Sequence, residues 1–155
     1  MAEGPRNAQG KWRWRNVPLP EAHLGGLVVG LVLQPFAPWK LFSASWLGHA
    51  MGWPVLLAGV LLAIWAVMAA GRVDMQAPNQ IVARGPYARS RNPMYVAWSI
   101  MYVGAALIVN AAWPLVALPA VLLFMHIAVV REERHLERRF GAEFEGYLAQ
   151  VRRYI

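Results

Sequence analysis

Four apolar stretches separated by short polar connections constrain the fold of this chain more than any other feature. The stretch at 49–70 reads HAMGWPVLLAGVLLAIWAVMAA and contains no acidic residue, lysine or arginine. A helix needs roughly 17–20 such residues to cross the hydrocarbon core of a bilayer. We predict membrane helices at Ala22–Trp39, His49–Ala70, Pro93–Val109 and Pro114–Val130. The expected fold class is all-α, a polytopic membrane protein with about four transmembrane helices.

The composition supports this class and argues against others. Hydrophobic residues make up 58% of the chain and charged residues only 15%, whereas a soluble domain carries about 25% charged residues. Eight tryptophans and five tyrosines are typical of membrane interfaces. The net charge of +7 could attract nucleic acid, but the apolar content favours the lipid bilayer and its anionic headgroups as the partner. The absence of cysteine excludes thiolate nucleophiles and thiolate metal ligands.

The distribution of basic residues predicts the orientation of the helices. Of the 15 lysines and arginines, only Lys40 lies on the side opposite to all the others. Basic residues are enriched on the cytoplasmic side, so we place the N-terminal segment 1–21, the loop 71–92 and the tail 131–155 in the cytoplasm. We expect an integral protein of the bacterial inner membrane. Residues 1–20 do not resemble a cleaved signal peptide, because they lack an apolar core.

Prolines and one asparagine predict where helices begin. Pro54, Pro93 and Pro114 each suit the first position of a helix, where the missing N–H costs nothing. Asn92 suits the N-cap position before Pro93. Because only the residues NAAW at 110–113 separate the last two predicted membrane helices, we expect these helices to form a tight antiparallel hairpin.

The tail is predicted to be helical without crossing the membrane. Residues 131–140 read REERHLERRF, a charged sequence that favours a helix, and Gly141 can end it. The single domain therefore comprises two helices at 22–70, a loop at 71–92, a helical hairpin at 93–130 and this tail. Five apolar residues recur in the tail at helical spacing and predict a face that lies on the bilayer or packs against the bundle: Phe144, Tyr147, Leu148, Val151 and Ile155.

The polar segment at 84–95, which reads RGPYARSRNPMY, is the first candidate for a binding site. We interpret Arg84 and Arg89 as topology signals. Arg91 lies at a helix N-terminus, where free backbone N–H groups favour an anion. Glu132, at the cytoplasmic end of the fourth predicted helix, would add the opposite charge. Together these groups predict a site at the membrane surface for a zwitterion with an apolar partner.

Two further ionisable residues each have two interpretations. His126 lies inside the fourth predicted membrane helix, where it either hydrogen-bonds to a neighbouring helix or takes part in catalysis. Glu133 lies at the end of that helix, where a carboxylate is mildly unfavourable. It therefore either pairs with a nearby arginine or acts as a base. His126 and Glu133 are the candidate catalytic residues.

The loop and the tail together resemble one family of membrane enzymes. The resemblance is carried by VARGPYARSRNPMY and, after a helical hairpin, by REERHLERRFGAEFEGYLAQVRRYI. These strings are similar to the small integral-membrane methyltransferases, which include isoprenylcysteine carboxyl methyltransferases and phospholipid N-methyltransferases. The resemblance covers about residues 72–155, half of the chain. The matching positions are Val82, Gly85, Tyr87, Arg91, Asn92, Pro93, Tyr95, Glu132, Glu133, Leu136, Phe140, Gly141, Phe144 and Tyr147.

The resemblance implies transfer of a methyl group from S-adenosylmethionine to a lipophilic small molecule, a lipid or a prenylcysteine-like acceptor. Arg91 would suit the carboxylate of the cofactor, and Glu132 its ammonium or ribose. His126 and Glu133 are candidate bases for an acceptor that must lose a proton. No metal is implied. The implied cofactor-binding residues are Asn79, Gln80, Ile81, Val82, Tyr87, Arg91, Asn92, Pro93, Met94, Tyr95 and Glu132.

Two positions depart from the family pattern, and two other functions stay open. Asn92 stands where histidine is commoner, so this chain has no titratable group there. Ala128 stands where the prenylcysteine enzymes carry an arginine. One alternative is a membrane sterol-type reductase that uses NADPH, a family with a similar helical core but usually longer chains. The other is a non-catalytic membrane scaffold of the same fold. The acceptor atom and the oligomeric state are also open.

Overall fold

The computed structural model describes residues 20–71, 73 and 80–154. Within these residues the chain is helical and contains no strand, which confirms the predicted all-α class; two residues, Ser90 and Arg152, form an isolated β-bridge. A short 3-10 turn at Gly85–Ala88 precedes the third helix. The five α-helices are α1 (Glu21–Leu33), α2 (Ser45–Ala70), α3 (Pro93–Val109), α4 (Ala112–Phe140) and α5 (Ala142–Gln150).

Two of these helices are long and apolar enough to cross a membrane, namely α2 with 26 residues and α4 with 29 residues. Only 22% of the residues in the most apolar part of each helix are buried, so their apolar faces are available to lipid. In the described part of the chain α1 and α3 are shorter, with 13 and 17 residues. At 1.5 Å per residue they extend about 20 and about 26 Å, so four complete transmembrane helices are not confirmed.

Several predicted helix boundaries were wrong for identifiable reasons. The first helix ends at Leu33 and not at Trp39, because Pro35 has no N–H group and its ring clashes with the preceding turn. The second helix starts four residues earlier than predicted, so that Pro54 lies inside α2 and does not begin it. The last membrane helix and the charged segment 131–140 form one continuous helix, α4, which begins at Ala112, so that Pro114 is its third residue and not its first. Pro93, by contrast, is the first residue of α3 as predicted.

Glycines allow α2 and α3 to pack backbone against backbone, and this is the most extensive helix pair in the protein. Gly48, Gly52 and Gly59 of α2 all face α3. A Cβ atom on Gly52 would lie 2.8 Å from the carbonyl oxygen of Gly104, and one on Gly104 would lie 2.6 Å from the backbone nitrogen of Leu56. Small residues at this spacing are typical of close helix pairs in membranes.

Glycines also allow close packing in a second helix pair, α1 and α4. Gly26 and Gly30 of α1 approach Val121 and Pro114 of α4 so closely that neither glycine has room for a side chain. Helix α3 leads into α4 through a short turn at Asn110, which takes the left-handed conformation with φ of 54°. The short connection predicted for the hairpin is confirmed, although each of its helices packs mainly on another partner.

The tail packs against the bundle, which is one of the two arrangements predicted for its apolar face. Gly141 ends α4 with a φ of 52°, as predicted, and α5 follows directly. Phe144 of α5 is 2% exposed, and Val151 is also buried. After α5 the chain returns to the loop before α3, where the backbone N–H of Arg91 donates a 2.9 Å hydrogen bond to the carbonyl of Arg152. The predicted N-terminal segment up to residue 19 and Ile155 lie outside the described residues.

Candidate functional site

The short turn before α3 is attached to the end of α2. Gly85 has a φ of +60°, and a Cβ atom there would lie 2.8 Å from the side chain of Ala69, so the position requires glycine. Arg84 Nε donates a 2.8 Å hydrogen bond to the Ala69 carbonyl at the C-terminal end of α2. Arg84, interpreted from sequence as a topology signal, therefore also caps a helix. The turn buries Pro86 and Tyr87.

Two tyrosines connect this turn to α5. Tyr87 is 4% exposed, and its carbonyl accepts a 2.7 Å hydrogen bond from the hydroxyl of Tyr147. Burial raises the pKa of Tyr87. Burial also raises the pKa of Tyr147 to about 12, with Arg91 opposing the rise and Glu133 adding to it. Both phenols are therefore neutral at physiological pH and can act as hydrogen-bond donors.

Glu133 of α4 joins three parts of the protein and is 8% exposed. Its Oε1 accepts a 3.3 Å hydrogen bond from Asn92 Nδ2. Its Oε2 accepts a 2.9 Å hydrogen bond from Arg153 Nε, and Arg153 Nη2 lies at 2.9 Å as well. Arg91 Nε lies 3.5 Å from Oε1. Glu133 is thus paired with arginines, one of its two sequence interpretations, and its role as a base stays a prediction.

Asn92 occupies the N-cap position of α3, but its side chain makes no capping hydrogen bond. Its Nδ2 donates to Glu133 and, over 3.2 Å, to the carbonyl of Arg153. The prediction that Asn92 caps α3 is therefore correct for its position and wrong for its side chain. The reason is orientation, because the two hydrogen bonds of Nδ2 fix the side chain in a position in which its Oδ1 accepts no capping hydrogen bond.

Groups of opposite charge meet next to this network. In the first turn of α3, Tyr95 donates a 3.3 Å hydrogen bond from its hydroxyl to Oε2 of Glu132. The side chain of Arg91 is only 12% exposed, and its Nε makes no hydrogen bond with any residue that the structure describes. Because this Nε is itself buried and faces Glu133 at 3.5 Å, an anionic ligand would have to bind the other N–H groups of the Arg91 guanidinium.

These side chains surround one space, which we call the loop cavity. Its volume is about 60 Å³, smaller than the roughly 300–1,000 Å³ of typical small-molecule sites, so the cavity in this conformation accommodates only part of such a ligand. The structure brings most of the predicted cofactor residues to its wall, namely Gln80, Ile81, Val82, Tyr87, Arg91, Asn92 and Glu132, and with them Glu133.

The remaining predicted cofactor residues are placed differently. Tyr95 is connected to the loop cavity through its hydrogen bond to Glu132. Pro93 and Met94 are buried, and Met94 packs with Tyr87 in a small hydrophobic core at the end of α2. Asn79 lies outside the described residues. The cofactor roles of all of these residues stay predictions.

The sequence interpretation missed part of the cavity wall, which also includes Val73, Leu136, Phe140, Phe144 and Tyr147. The two residues of α4 in this set could have been found from the sequence. Leu136 and Phe140 follow Glu132 at four-residue spacing, and this spacing puts all three side chains on one face of a helix. Phe144 and Tyr147 were predicted as the apolar face of the tail and as positions of the family pattern, but not as residues of the cofactor site.

His126 lies away from the loop cavity, on a second space that opens to the outside of the helix bundle. Its Nδ1 is 2.9 Å from the hydroxyl of Tyr154. We call this space the α3–α4 groove; it measures about 790 Å³. The structure therefore separates the two candidate catalytic residues, with Glu133 on the cavity and His126 in the groove. The groove is mostly apolar, with Val55, Val96, Ile100, Val103, Leu118 and Leu122 in its wall.

Comparison with known proteins gives two matches. The family model described as phospholipid methyltransferase matches residues 47–143, more than half of the chain and the part that contains α2, α3 and α4. The nickel-cobalt-cadmium resistance protein NccN of Alcaligenes xylosoxydans xylosoxydans is 25% identical over 103 residues, which cover 66% of this chain and 48% of that protein. The chain thus spans about half the length of this curated relative. On the extent of the family match, which agrees with the resemblance in its loop and tail, the chain belongs to the phospholipid methyltransferase family.

Proposed function

We propose that the protein is an S-adenosylmethionine-dependent methyltransferase that acts at the cytoplasmic surface of the bacterial inner membrane on a lipophilic acceptor. Family membership supports methyl transfer in general, and the two long apolar helices support a membrane location. The observation that carries the cofactor is the loop cavity, where Arg91 and Glu132 offer opposite charges within a wall of mostly aliphatic and aromatic residues. When bound, S-adenosylmethionine supplies a methyl group activated on a sulfonium.

The residues of the loop cavity suit each charged part of this cofactor. Its carboxylate would bind the guanidinium of Arg91, which lines the loop cavity. Its ammonium or ribose hydroxyls would bind Glu132. The aromatic rings would face the adenine and the sulfonium, because the face of an aromatic ring attracts a cation. These rings belong to Tyr87, Phe140, Phe144 and Tyr147.

Glu133 is assigned a positioning role in this proposal and not that of a base. Both of its oxygens accept hydrogen bonds, from Asn92 and from Arg153. The carboxylate is therefore held by protein groups and is not free to turn toward an acceptor. Through these bonds Glu133 instead fixes the start of α3 and the tail on either side of the loop cavity. Of the two candidate catalytic residues, His126 is therefore the one we propose to contact the acceptor.

The two alternatives gain no specific support. The family match is to methyltransferases. Moreover, a nicotinamide dinucleotide carries several phosphate groups, whereas the loop cavity presents one arginine, Arg91, among the residues that the structure describes. A non-catalytic scaffold would not need opposite charges facing one cavity. Titration of the full chain with NADPH and with S-adenosylhomocysteine, the product of the proposed reaction, separates the three functions.

The decisive experiment combines binding and turnover on the purified full-length protein. We expect S-adenosylhomocysteine to bind by isothermal titration, and membranes incubated with methyl-labelled cofactor to yield a labelled lipophilic product by mass spectrometry. Glu132→Gln should weaken binding of S-adenosylhomocysteine about tenfold, because a charge-assisted hydrogen bond is lost. Glu137→Gln, an exposed position on the same helix, is the matched control. Unchanged affinity in Glu132→Gln would contradict its role, and no binding to the unmodified protein would contradict the proposed function.

A further inference from the structure

The C-terminal segment 151–154 contacts residues of both the loop cavity and the α3–α4 groove. Hydrogen bonds fix it to the loop on one side, with Asn92 Nδ2 and Ser90 Oγ donating to the Arg153 carbonyl over 3.2 and 3.4 Å. The ion pair between Arg153 and Glu133 fixes it to α4 on the other. Consecutive side chains then face different spaces, because Arg153 binds a residue of the loop cavity whereas Tyr154 lines the groove.

Tyr154 and His126 are the polar residues of the groove that are able to bind a ligand. The groove has one further polar side chain, that of Ser99, whose hydroxyl donates to the Tyr95 carbonyl over 2.9 Å and lies 3.0 Å from His23 Nε2. His126 Nδ1 and the Tyr154 hydroxyl are 2.9 Å apart. Burial raises the pKa of Tyr154, so its phenol keeps its proton at neutral pH.

The hydrogen-bonding capacity of this pair does not depend on which histidine tautomer is present. If Nδ1–H donates to the phenol oxygen, the Tyr154 hydroxyl is left as a donor and Nε2 as an acceptor. If the hydroxyl donates to Nδ1, then Nε2–H is left as a donor and the phenol oxygen as an acceptor. In either case the pair presents one donor and one acceptor.

We propose that Tyr154 and His126 bind the reactive head of the methyl acceptor, and that this head both donates and accepts a hydrogen bond, as an uncharged amine, a thiol or a hydroxyl does. The inference rests on the proposed function and deepens it by naming the acceptor class. An ionised carboxylate has no hydrogen to donate, so it can make no hydrogen bond to the accepting atom of the pair. The apolar tail of the acceptor lies along α3 and α4 in the groove, against Val103 and Leu122.

The same two residues can remove the proton that the acceptor head loses when it is methylated. In the tautomer with Nδ1–H bonded to the phenol oxygen, Nε2 accepts the hydrogen bond from the acceptor head and can take its proton as the head becomes methylated. The imidazole then carries one positive charge and later releases the proton to water. Tyr154 holds the ring in this orientation, in the way a hydrogen bond to one nitrogen fixes the function of the other.

The test uses three single-chain probes of equal length, namely dodecylamine, dodecanethiol and dodecanoate, with the full-length protein and labelled cofactor. We expect label on the amine or the thiol and none on dodecanoate. Tyr154→Phe and His126→Gln should each lower kcat/KM for the accepted probe about tenfold, the order expected for one lost hydrogen bond. Both variants should bind S-adenosylhomocysteine as the unmodified protein does. His135→Gln, an exposed histidine later in the same helix, is the matched control.

Three outcomes would overturn this inference alone, provided that S-adenosylhomocysteine still binds the unmodified protein. They are labelling of dodecanoate as efficient as that of dodecylamine, an unchanged kcat/KM in both variants, and a loss of S-adenosylhomocysteine affinity in Tyr154→Phe that matches the loss of turnover. The last result would mean that Tyr154 only supports the fold. If the unmodified protein binds no S-adenosylhomocysteine and labels no probe, the proposed function itself fails and the inference fails with it.

Discussion

The loop cavity and the α3–α4 groove meet at the C-terminal segment but differ in volume, in exposure and in the charge of their walls. The cavity is enclosed by the loop, α4 and α5, and it holds Arg91, Glu132 and Glu133. The groove is larger, opens to the outside of the bundle and is apolar except at a few side chains. A charged, water-soluble ligand is favoured in the first space and the tail of an amphiphile in the second. The two spaces thus differ in polarity in the way that the proposed charged cofactor and lipophilic acceptor require.

The two spaces also differ in how they are held. The cavity depends on side-chain hydrogen bonds and ion pairs that connect distant parts of the chain, such as the one from Arg153 to Glu133. The groove depends on helix packing, in which glycines set the distance between α2 and α3. Loss of one charge should therefore disturb the cavity strongly, whereas the groove should respond to changes of side-chain volume. The predictions below test this difference.

The largest effect is expected at Glu133, where the two spaces are linked. Glu133→Gln removes the negative charge that balances Arg91 and Arg153. The expected loss of unfolding free energy is about 3 kcal/mol, the lower end for breaking a buried ion pair, because Arg153 is partly exposed. We expect a lower melting temperature and about a hundredfold loss of methyl transfer, since the start of α3 and the tail both lose their anchor.

Thermal unfolding and turnover of the same preparations measure this effect, with Glu137→Gln as the exposed control on α4. A variant that keeps the melting temperature of the unmodified protein but loses all turnover would contradict the positioning role. That result would instead support Glu133 as a base.

A smaller and more selective effect is expected when the groove is filled. Val103→Phe places a larger side chain in the groove wall, and we expect the KM for dodecylamine to rise about fivefold because the acceptor tail loses room. The affinity for S-adenosylhomocysteine should not change, because Val103 is not part of the loop cavity. Val116→Phe, an exposed position on α4, is the control. A parallel loss of S-adenosylhomocysteine affinity would show that the two spaces are not independent.

The same contrast explains how much the sequence could predict. Residues of the loop cavity come from two short polar segments, and polar residues between apolar helices are conspicuous, so Tyr87, Arg91, Asn92 and Glu132 could be predicted together. Their partners could not all be predicted. Asn92 was expected to cap α3. Its Nδ2 instead donates to Glu133 and to the carbonyl of Arg153, which lies 61 residues further along the chain.

The residues of the groove could not be recognised from the sequence in the same way. Its wall consists of apolar residues that any membrane helix would contain, and its polar pair joins His126 to Tyr154, 28 residues apart. Periodicity predicted that α4 is apolar without indicating which face meets α3. The boundaries of α1 and α2 failed for a related reason. A proline can begin a helix or lie within one, and Pro54 lies within α2 because neighbouring helices stabilise the surrounding turns.

The smallest effect is expected at Tyr147, a neutral group of the loop cavity. Tyr147→Phe removes its hydrogen bond to the Tyr87 carbonyl but keeps the ring, so we expect a loss of about 1 kcal/mol of unfolding free energy at neutral pH. The pKa of Tyr147 is raised from 10.0 to about 12, so the folded state holds this proton more tightly than the unfolded state. The associated stability is complete below pH 10 and is lost as the pH rises toward 12. Melting temperatures of the unmodified protein should therefore fall more steeply across this interval than those of Tyr147→Phe, while the KM for dodecylamine is the same in both. Equal slopes would show that the burial of this phenol does not affect stability.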